Sequence, residues 1–421
     1  MDVVGVHLYN VIDQFAKYIL VIMQLLMFIY AVYYVFLAVR GLGRSKGTPR
    51  LVPEKMFALV VAAHNEEKVI GPLLENLNML EYPKELYDVY VVADNCSDET
   101  AAISREAGAN VFERNNLVDR GKGYALEWLF DQIFALDKPY DGIVIFDADN
   151  LVKKDFLEVM NTKMMQGCQI VQGYLDTKNP YDTWVTNSFA ISFWMVNRML
   201  QLARHHLGLS GLLAGTGMCI SYPLLQEMGW GAHSLSEDLE FSARALMRGV
   251  KTEWAHDAVV YDEKPLGFGQ SCKQRKRWAQ GHVDVSGNYL WPLLHKGIRE
   301  KKWRYIDTAI HLFQPHMIMI GTMVLLIDFF LGSAVSHTLM TDILPPFFWQ
   351  AVLVAMALFT VVSFTRDRIP LRAYIGLILY PVFMYTWIPI LAAGFAHKNR
   401  REWSHTEHSR SLNYTDIVQD G

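Results

Sequence analysis

The chain of 421 residues is long enough for one large core or two modest domains. With 52% hydrophobic and 19% charged residues it is too apolar for an ordinary soluble enzyme and too charged for a pure bundle of spans, which points to a soluble domain attached to membrane helices. A formal net charge of −4 excludes a general nucleic-acid binder, because there is no basic excess to neutralise phosphates.

Residues 18–39 are almost continuously apolar. A helix of that length rises about 33 Å, enough to cross a bilayer core. The run is too long for a cleaved leader, and its basic residues follow it instead of preceding it. Arg40, Arg44, Lys46 and Arg50 come after the span. Positive charge stays inside, so the next domain is expected in the cytoplasm. Residues 1–50 thus read as a transmembrane helix with a basic flank.

Residues 51–265 alternate short apolar runs with helical patterns. Strands are expected at 57–63, 88–93, 110–112, 142–146 and 169–172, and helices at 67–80, 98–107, 123–136 and 154–167. This alternation predicts an α/β, Rossmann-like domain with a mostly parallel sheet covered by helices. Such sheets bind ligands at the carboxyl ends of their strands. His64, Asn65 and Glu66 follow the first strand, Asp94 to Asp98 the second, and Asp147 and Asp149 the fourth. There is no G-x-x-x-x-G-K-[ST] loop and no G-x-G-x-x-G after a strand, which disfavours Walker-type and dinucleotide sites.

Asp147 and Asp149 put two carboxylates two residues apart beyond a buried strand. Hard cations such as Mg²⁺ or Mn²⁺ take carboxylate oxygens and neutralise charge on a departing diphosphate. By itself D-x-D also serves turns and caps. Ser236, Glu237 and Asp238 precede an expected helix at 239–247. They could cap it, or a carboxylate could deprotonate an acceptor hydroxyl. Lys122 lies in a glycine-flanked segment, 120–123, that opens a helix, where backbone and dipole attract anions. Gly215 and Thr216 form a tight loop, or a place for an acceptor to approach.

Residues 266–305 interleave Lys and Arg with Trp278, Trp291 and Trp303, which suggests amphipathic helices in the headgroup region. In that stretch Gln274, Arg277 and Trp278 combine a guanidinium able to clamp a diphosphate with a flat face for a sugar ring. A plain membrane-surface helix is the other reading. Apolar stretches at 308–331, 343–364 and 373–396 put further transmembrane helices in 306–397, before a tail at 398–421. Pro381 and Pro389 interrupt the last stretch, so it kinks, re-enters or crosses. The four cysteines contain no C-x-x-C pair and read as small buried residues in a reducing compartment.

Taken in order, these segments resemble the membrane-integrated branch of family 2 glycosyltransferases with the GT-A fold. That branch includes synthases of cellulose, hyaluronan, chitin oligomers and poly-N-acetylglucosamine, with ceramide glucosyltransferase as a more distant relative. Residues 61–67 look like the first-strand motif, Asp94 the uridine-side aspartate and Asp147/Asp149 the D-x-D. Glu237-Asp238 resembles T-E-D, and Gln274, Arg277 and Trp278 resemble Q-x-x-R-W. Ser236 replaces the usual threonine, and Ala93 stands where many relatives carry the first aspartate of a pair.

The resemblance implies a catalytic base at Asp238 beside Glu237, and donor contacts from Asn65, Glu66, Asp94, Lys122, Asp147, Gln274 and Arg277. It implies acceptor contacts from Trp278, Gly215 and Thr216, and Mg²⁺ or Mn²⁺ at Asp149 and Asp147. The implied reaction is inverting transfer from a UDP-sugar to a growing polysaccharide or oligosaccharide at the cytoplasmic face of the cell membrane, by a multi-pass protein. About four crossings enclose little room for a polymer. A homo-oligomer or partner subunit would therefore complete a channel, or a single sugar passes to a lipid acceptor. A non-catalytic nucleotide-binding transporter or scaffold is the remaining alternative.

Overall fold

The computed structural model describes residues 3–331, 346–398 and 410–420. β1 (Phe57–Ala63) reads FALVVAA and is almost wholly buried, as a central parallel strand covered on both faces should be. Its side chains alternate between two cores. Phe57, Leu59 and Val61 pack with Ile70, Leu73 and Leu74 of α2 (Ile70–Leu77). Ala58 and Val60 pack with Leu126 and Leu129 of α4 (Lys122–Phe134). Burying each such Val or Leu is worth about 1.5–3 kcal/mol, so the register of β1 is strongly held.

β2 (Tyr87–Asp94), β3 (Asn110–Arg114) and β4 (Gly142–Asp147) run parallel to β1, with α3 (Thr100–Glu106) between β2 and β3. The sheet continues through β5 (Leu151–Val152), β6 (Ile170–Thr177), β7 (Met218–Ser221) and β8 (Thr252–Asp262). Its eight strands have the order β3-β2-β1-β4-β7-β6-β8-β5. The mostly parallel expectation holds for β3, β2, β1 and β4 and again for β6 beside β8. β7 is antiparallel to both β4 and β6, and β5 is antiparallel to β8. β5, β7 and β8 are absent from the sequence-based strands: β5 has two residues, β7 four, and β8 interleaves polar residues along its length.

α5 (Phe156–Met165), α6 (Trp184–Val196), a π-helical stretch Asn197–Leu202, α7 (Ala203–His206), α8 (Tyr222–Met228) and α9 (Glu237–Met247) complete the domain. The amino-terminal helix α1 (Val3–Gly41) rests on the π-helical stretch. There Arg198 donates to the carbonyls of Gly41 (3.0 Å) and Gly43 (3.1 Å) and forms an ion pair with Asp367. Only a glycine fits at 41, where an added Cβ would collide with the Arg198 carbonyl.

The basic, tryptophan-bearing stretch is one 33-residue helix, α10 (Phe268–Glu300), followed by α11 (Trp303–Leu312) and α12 (Gln314–Leu331). Arg275 is fully buried and donates to Thr386 Oγ1 at 2.7 Å, which fixes α10 to the last apolar segment.

Residues 17–41 make one helix long and apolar enough to cross a membrane. The expected stretch 308–331 is broken between α11 and α12 with a 50° bend. The stretch 373–396 is broken into Leu371–Ile378, Tyr380–Tyr385 and Trp387–Ala396 with a 55° bend. If each bent pair is one span, the total among the described residues is up to three. The helix Pro346–Arg366 covers most of the stretch expected at 343–364; residues 343–345 lie outside the described residues, as do the basic Arg400 and Arg401.

Candidate active site

A cavity of about 720 Å³ opens at the carboxyl ends of β1, β2 and β4. Its wall includes Glu66, Asp94, Lys122, Asp147 and Asp149 from the strand-end loops. Gly215, Thr216, Glu237 and Asp238 come from the middle of the chain, and Gln274, Arg277 and Trp278 from α10. Asn65 alone of the expected site residues is not on this wall. It has φ +54°, and its side chain accepts from the Ser97 nitrogen at 2.8 Å, so it braces the loop after β2.

Asp94 ends β2 directly opposite Arg114, which ends β3. Their side chains form a buried ion pair at 2.6 Å, and Arg114 also donates to the Asp119 carbonyl at 2.7 Å. His64 Nδ1 donates to the Asp94 carbonyl at 2.6 Å. Arg114 and His64 are absent from the sequence-based site. The strand expected at 110–112 stops two residues short of Arg114, and extending it would have put the arginine on the same edge as Asp94.

Lys122 Nζ bridges the Asp147 carboxylate and the Gly215 carbonyl (2.7 Å). Thr216 is buried, and its Oγ1 accepts from the Asp147 nitrogen at 3.1 Å while bonding Asn150 Oδ1. Thr216 therefore holds the D-x-D turn. Asp149 Oδ2 accepts from the Glu263 nitrogen at 3.2 Å, and its carbonyl from Lys178 Nζ at 3.0 Å.

Asp147 and Asp149 present the hard oxygen donors that Mg²⁺ and Mn²⁺ select, so the residues fit such an ion. Among the described residues no group of three or more His, Cys, Asp or Glu could hold a metal alone. Diphosphate and water oxygens would have to complete the coordination.

Glu237 and Asp238 start α9, where the helix dipole favours acidic side chains. Ser236 makes no side-chain cap there. Asp238 Oδ1 accepts from the Leu239 nitrogen at 2.8 Å. Its Oδ2 faces Gly215, where an added Cβ would lie 3.7 Å away. Both carboxylates line the cavity and are half-buried. Burial, and then the neighbouring Glu237 charge, push Asp238 up to about 7. Burial also raises Glu237, against the opposing pull of Lys122 and Arg277. Burial by itself would lower Lys122, but Asp147 and then Glu237 outweigh it and hold the ammonium above its ordinary value.

α10 reaches this centre through a missing side chain. A Cβ at Gly281 would lie 2.5 Å from the Ser236 nitrogen, so glycine lets the helix lie directly on the turn that carries Glu237 and Asp238. On the same helix Gln274, Arg277 and Trp278 follow i, i+3, i+4 spacing and share a face. Trp278 packs edge-on against Phe189, with ring centres 5.9 Å apart. Gly281 was not among the expected residues; a lone glycine seven residues from Gln274 gives no signal without its partner.

The family model described as "Glycosyltransferase like family 2" matches residues 53–281. A beta-monoglucosyldiacylglycerol synthase of Trichormus variabilis is 28% identical over 279 residues, which cover 62% of this chain and 57% of the relative. The chain therefore spans a little over half the length of that relative. A poly-beta-1,6-N-acetyl-D-glucosamine synthase of Staphylococcus epidermidis is 25% identical over 68% of each chain. Among solved structures, a mannosyltransferase from Pyrobaculum calidifontis, in complex with GDP-Man and Mn²⁺, matches with a TM-score of 0.62 at 19% identity. The match covers 92% of this chain and all of that one, a likeness of fold. With the family model spanning 53–281, from before β1 to Gly281 on α10, the chain belongs to the glycosyltransferase-like family 2.

Proposed function

We propose that the chain transfers a hexose, with inversion, from a UDP-sugar to a hydroxyl of a membrane-borne acceptor, using Asp238 as general base. The observation that carries this reading is the placement of Asp238 Oδ2 on one cavity wall with Asp147, Asp149 and Arg277. The acceptor hydroxyl gives its proton to Asp238 as its oxygen bonds to the anomeric carbon. The bond from that carbon to the phosphate oxygen breaks, and UDP leaves with the electron pair. A base whose acid form titrates near neutrality suits this step. Gln274, Arg277 and Lys122 hold the diphosphate, and Asp94, fixed by Arg114, contacts the nucleoside. A divalent cation at Asp149 and Asp147, Mg²⁺ or Mn²⁺, would supply the remaining neutralisation of the leaving group.

The acceptor side favours a single sugar on a lipid. Val196, Leu200 and Gln201 line the cavity, and the π-helical stretch that carries Leu200 and Gln201 rests on α1, the long apolar helix. A beta-monoglucosyldiacylglycerol synthase among the relatives agrees with this. The basic residues after α1 support a cytoplasmic position for the catalytic domain. Polysaccharide elongation is the second reading, supported by the Gln274, Arg277 and Trp278 element and by the relative that makes poly-beta-1,6-N-acetyl-D-glucosamine.

Purified full chain is to be incubated with UDP-sugars, and with GDP-mannose in parallel, in the presence of Mg²⁺ or Mn²⁺ and membrane lipids. UDP release with a single glycolipid mass is expected, abolished by chelation and restored by metal. A ladder of oligomers would favour elongation. No turnover of any donor would sink both readings.

A further inference from the structure

The cavity continues past Asp238. Its wall passes to Arg204 on α7, His282 on α10 and His311 on α11. Arg204 is 1% exposed, and its Nε donates to Asp307 at 2.9 Å. Its Nη2 is buried and meets no acceptor at full hydrogen-bond geometry, with Tyr34 as its polar neighbour. His282 and His311 stand with ring centres 5.3 Å apart, and Nε2 of the first and Nδ1 of the second are likewise buried and unmatched. Buried polar atoms are normally satisfied, because an unmatched one has lost its hydration for nothing. Three on one recess leave it able to bond a polar ligand.

The recess carries no net charge. Arg204 is balanced by the fully buried Asp307, and burial pulls His282 down to about 4, so its ring is neutral. An anion placed here would be an uncompensated buried charge. Hydroxyls and ester carbonyls would satisfy the same atoms without that penalty. The recess is also tied to the base. Gln201 holds Leu212 from both sides, accepting from its nitrogen at 3.1 Å and donating to its carbonyl at 2.7 Å. Three residues later, at most about 10 Å of chain, Gly215 faces Asp238.

We propose that Arg204, His282 and His311 form an acceptor subsite for the uncharged, glycerol-type headgroup of a neutral lipid, directing its free hydroxyl toward Asp238. This rests on the reading of a membrane-borne acceptor. It adds which residues select that acceptor, and that the selection is against anionic headgroups.

The test uses the full chain in detergent micelles and a diazirine analogue of dioctanoylglycerol, with labelled peptides mapped by mass. Label is expected on peptides containing 196–204, 282 or 311. Excess dioctanoylglycerol should displace it and dioctanoyl phosphatidic acid should not. His311→Phe should cut labelling about fivefold, the size of one lost hydrogen bond, and His311→Gln should restore it. If His311→Phe does not fold, His282→Phe takes its place. Label found only elsewhere, equal displacement by phosphatidic acid, or labelling unchanged in the folded variant overturns the subsite. Label at the recess in a chain that turns over no UDP-sugar would sink the proposed transfer and keep the subsite. Transfer to lipid without recess label sinks the subsite alone.

Discussion

The two ends of the cavity are built on different principles. At the strand ends, short loops leave a rigid parallel sheet, and each acidic side chain is matched nearby: Asp94 by Arg114, Asp147 by Lys122, Asp149 by the Glu263 backbone. At the helix end the buried charges join elements far apart in sequence. Arg204 pairs with Asp307, and Tyr33 of α1 donates to the same carboxylate. At the first end these three acidic groups are paired before anything binds, whereas the second keeps several polar atoms unmatched. A site for a charged nucleotide can be pre-organised by backbone and local pairs, while a site beside membrane helices depends on how those helices pack.

That contrast can be broken by substitution at each end and at the base between them. The largest expected effect is at the junction. Asp238→Asn should lower kcat by about 10²–10⁴, the usual contribution of a general base, with the donor KM little changed. Near-full activity in steady-state kinetics would remove Asp238 from the mechanism.

Next comes the helix end, where Arg204→Met strands a fully buried Asp307 carboxylate. A loss of about 3–5 kcal/mol is expected, as for other broken buried pairs, read as a lowered thermal midpoint in detergent. An unchanged midpoint would mean that the pair does not join α7 to α11.

At the strand end, Arg114→Met removes one charged partner of Asp94, which keeps Asn95 Nδ2 at 3.0 Å. Losing a charge-assisted hydrogen bond is worth about 1.5–3 kcal/mol. It should appear as a raised donor KM with the acceptor KM unaltered. A change in the acceptor KM instead would erase the distinction between the two ends.

The junction also sets how stability depends on pH. Asp238 titrates near 7 in the folded chain against an ordinary 3.8. The folded state therefore keeps a proton that the unfolded chain releases. The stability linked to this group is complete below about pH 4 and is lost as the pH rises to about 7. Activity runs the other way, because the base works as the carboxylate. Over that window wild type should lose stability relative to Asp238→Asn while its kcat/KM climbs. Parallel melting curves for the two chains would contradict the raised pKa.

The strand-end motifs were legible because chemistry and local structure coincide there. An apolar run that ends in Asp or His-Asn-Glu announces both a buried strand and a polar edge. β1 is placed to the residue, and the other parallel strands start or end within two residues of their expected bounds. Asn65 shows the limit of that inference. It sits in the motif, but its side chain is used by the neighbouring loop.

Sequence alone determined the α/β plan preceded by a long apolar helix, and the acidic and basic groups of the cavity, since periodicity and strand-end polarity are local properties. It could not determine what lies against what. Gly281 beneath Ser236, Arg114 across from Asp94 and the recess of Arg204, His282 and His311 join residues 20 to 107 positions apart. The pairing of β5, β7 and β8 was decided in the same way, because these strands are too short or too polar to declare themselves. Their conformation is fixed by the strands they pair with, and pairing between distant segments is a property of the folded chain.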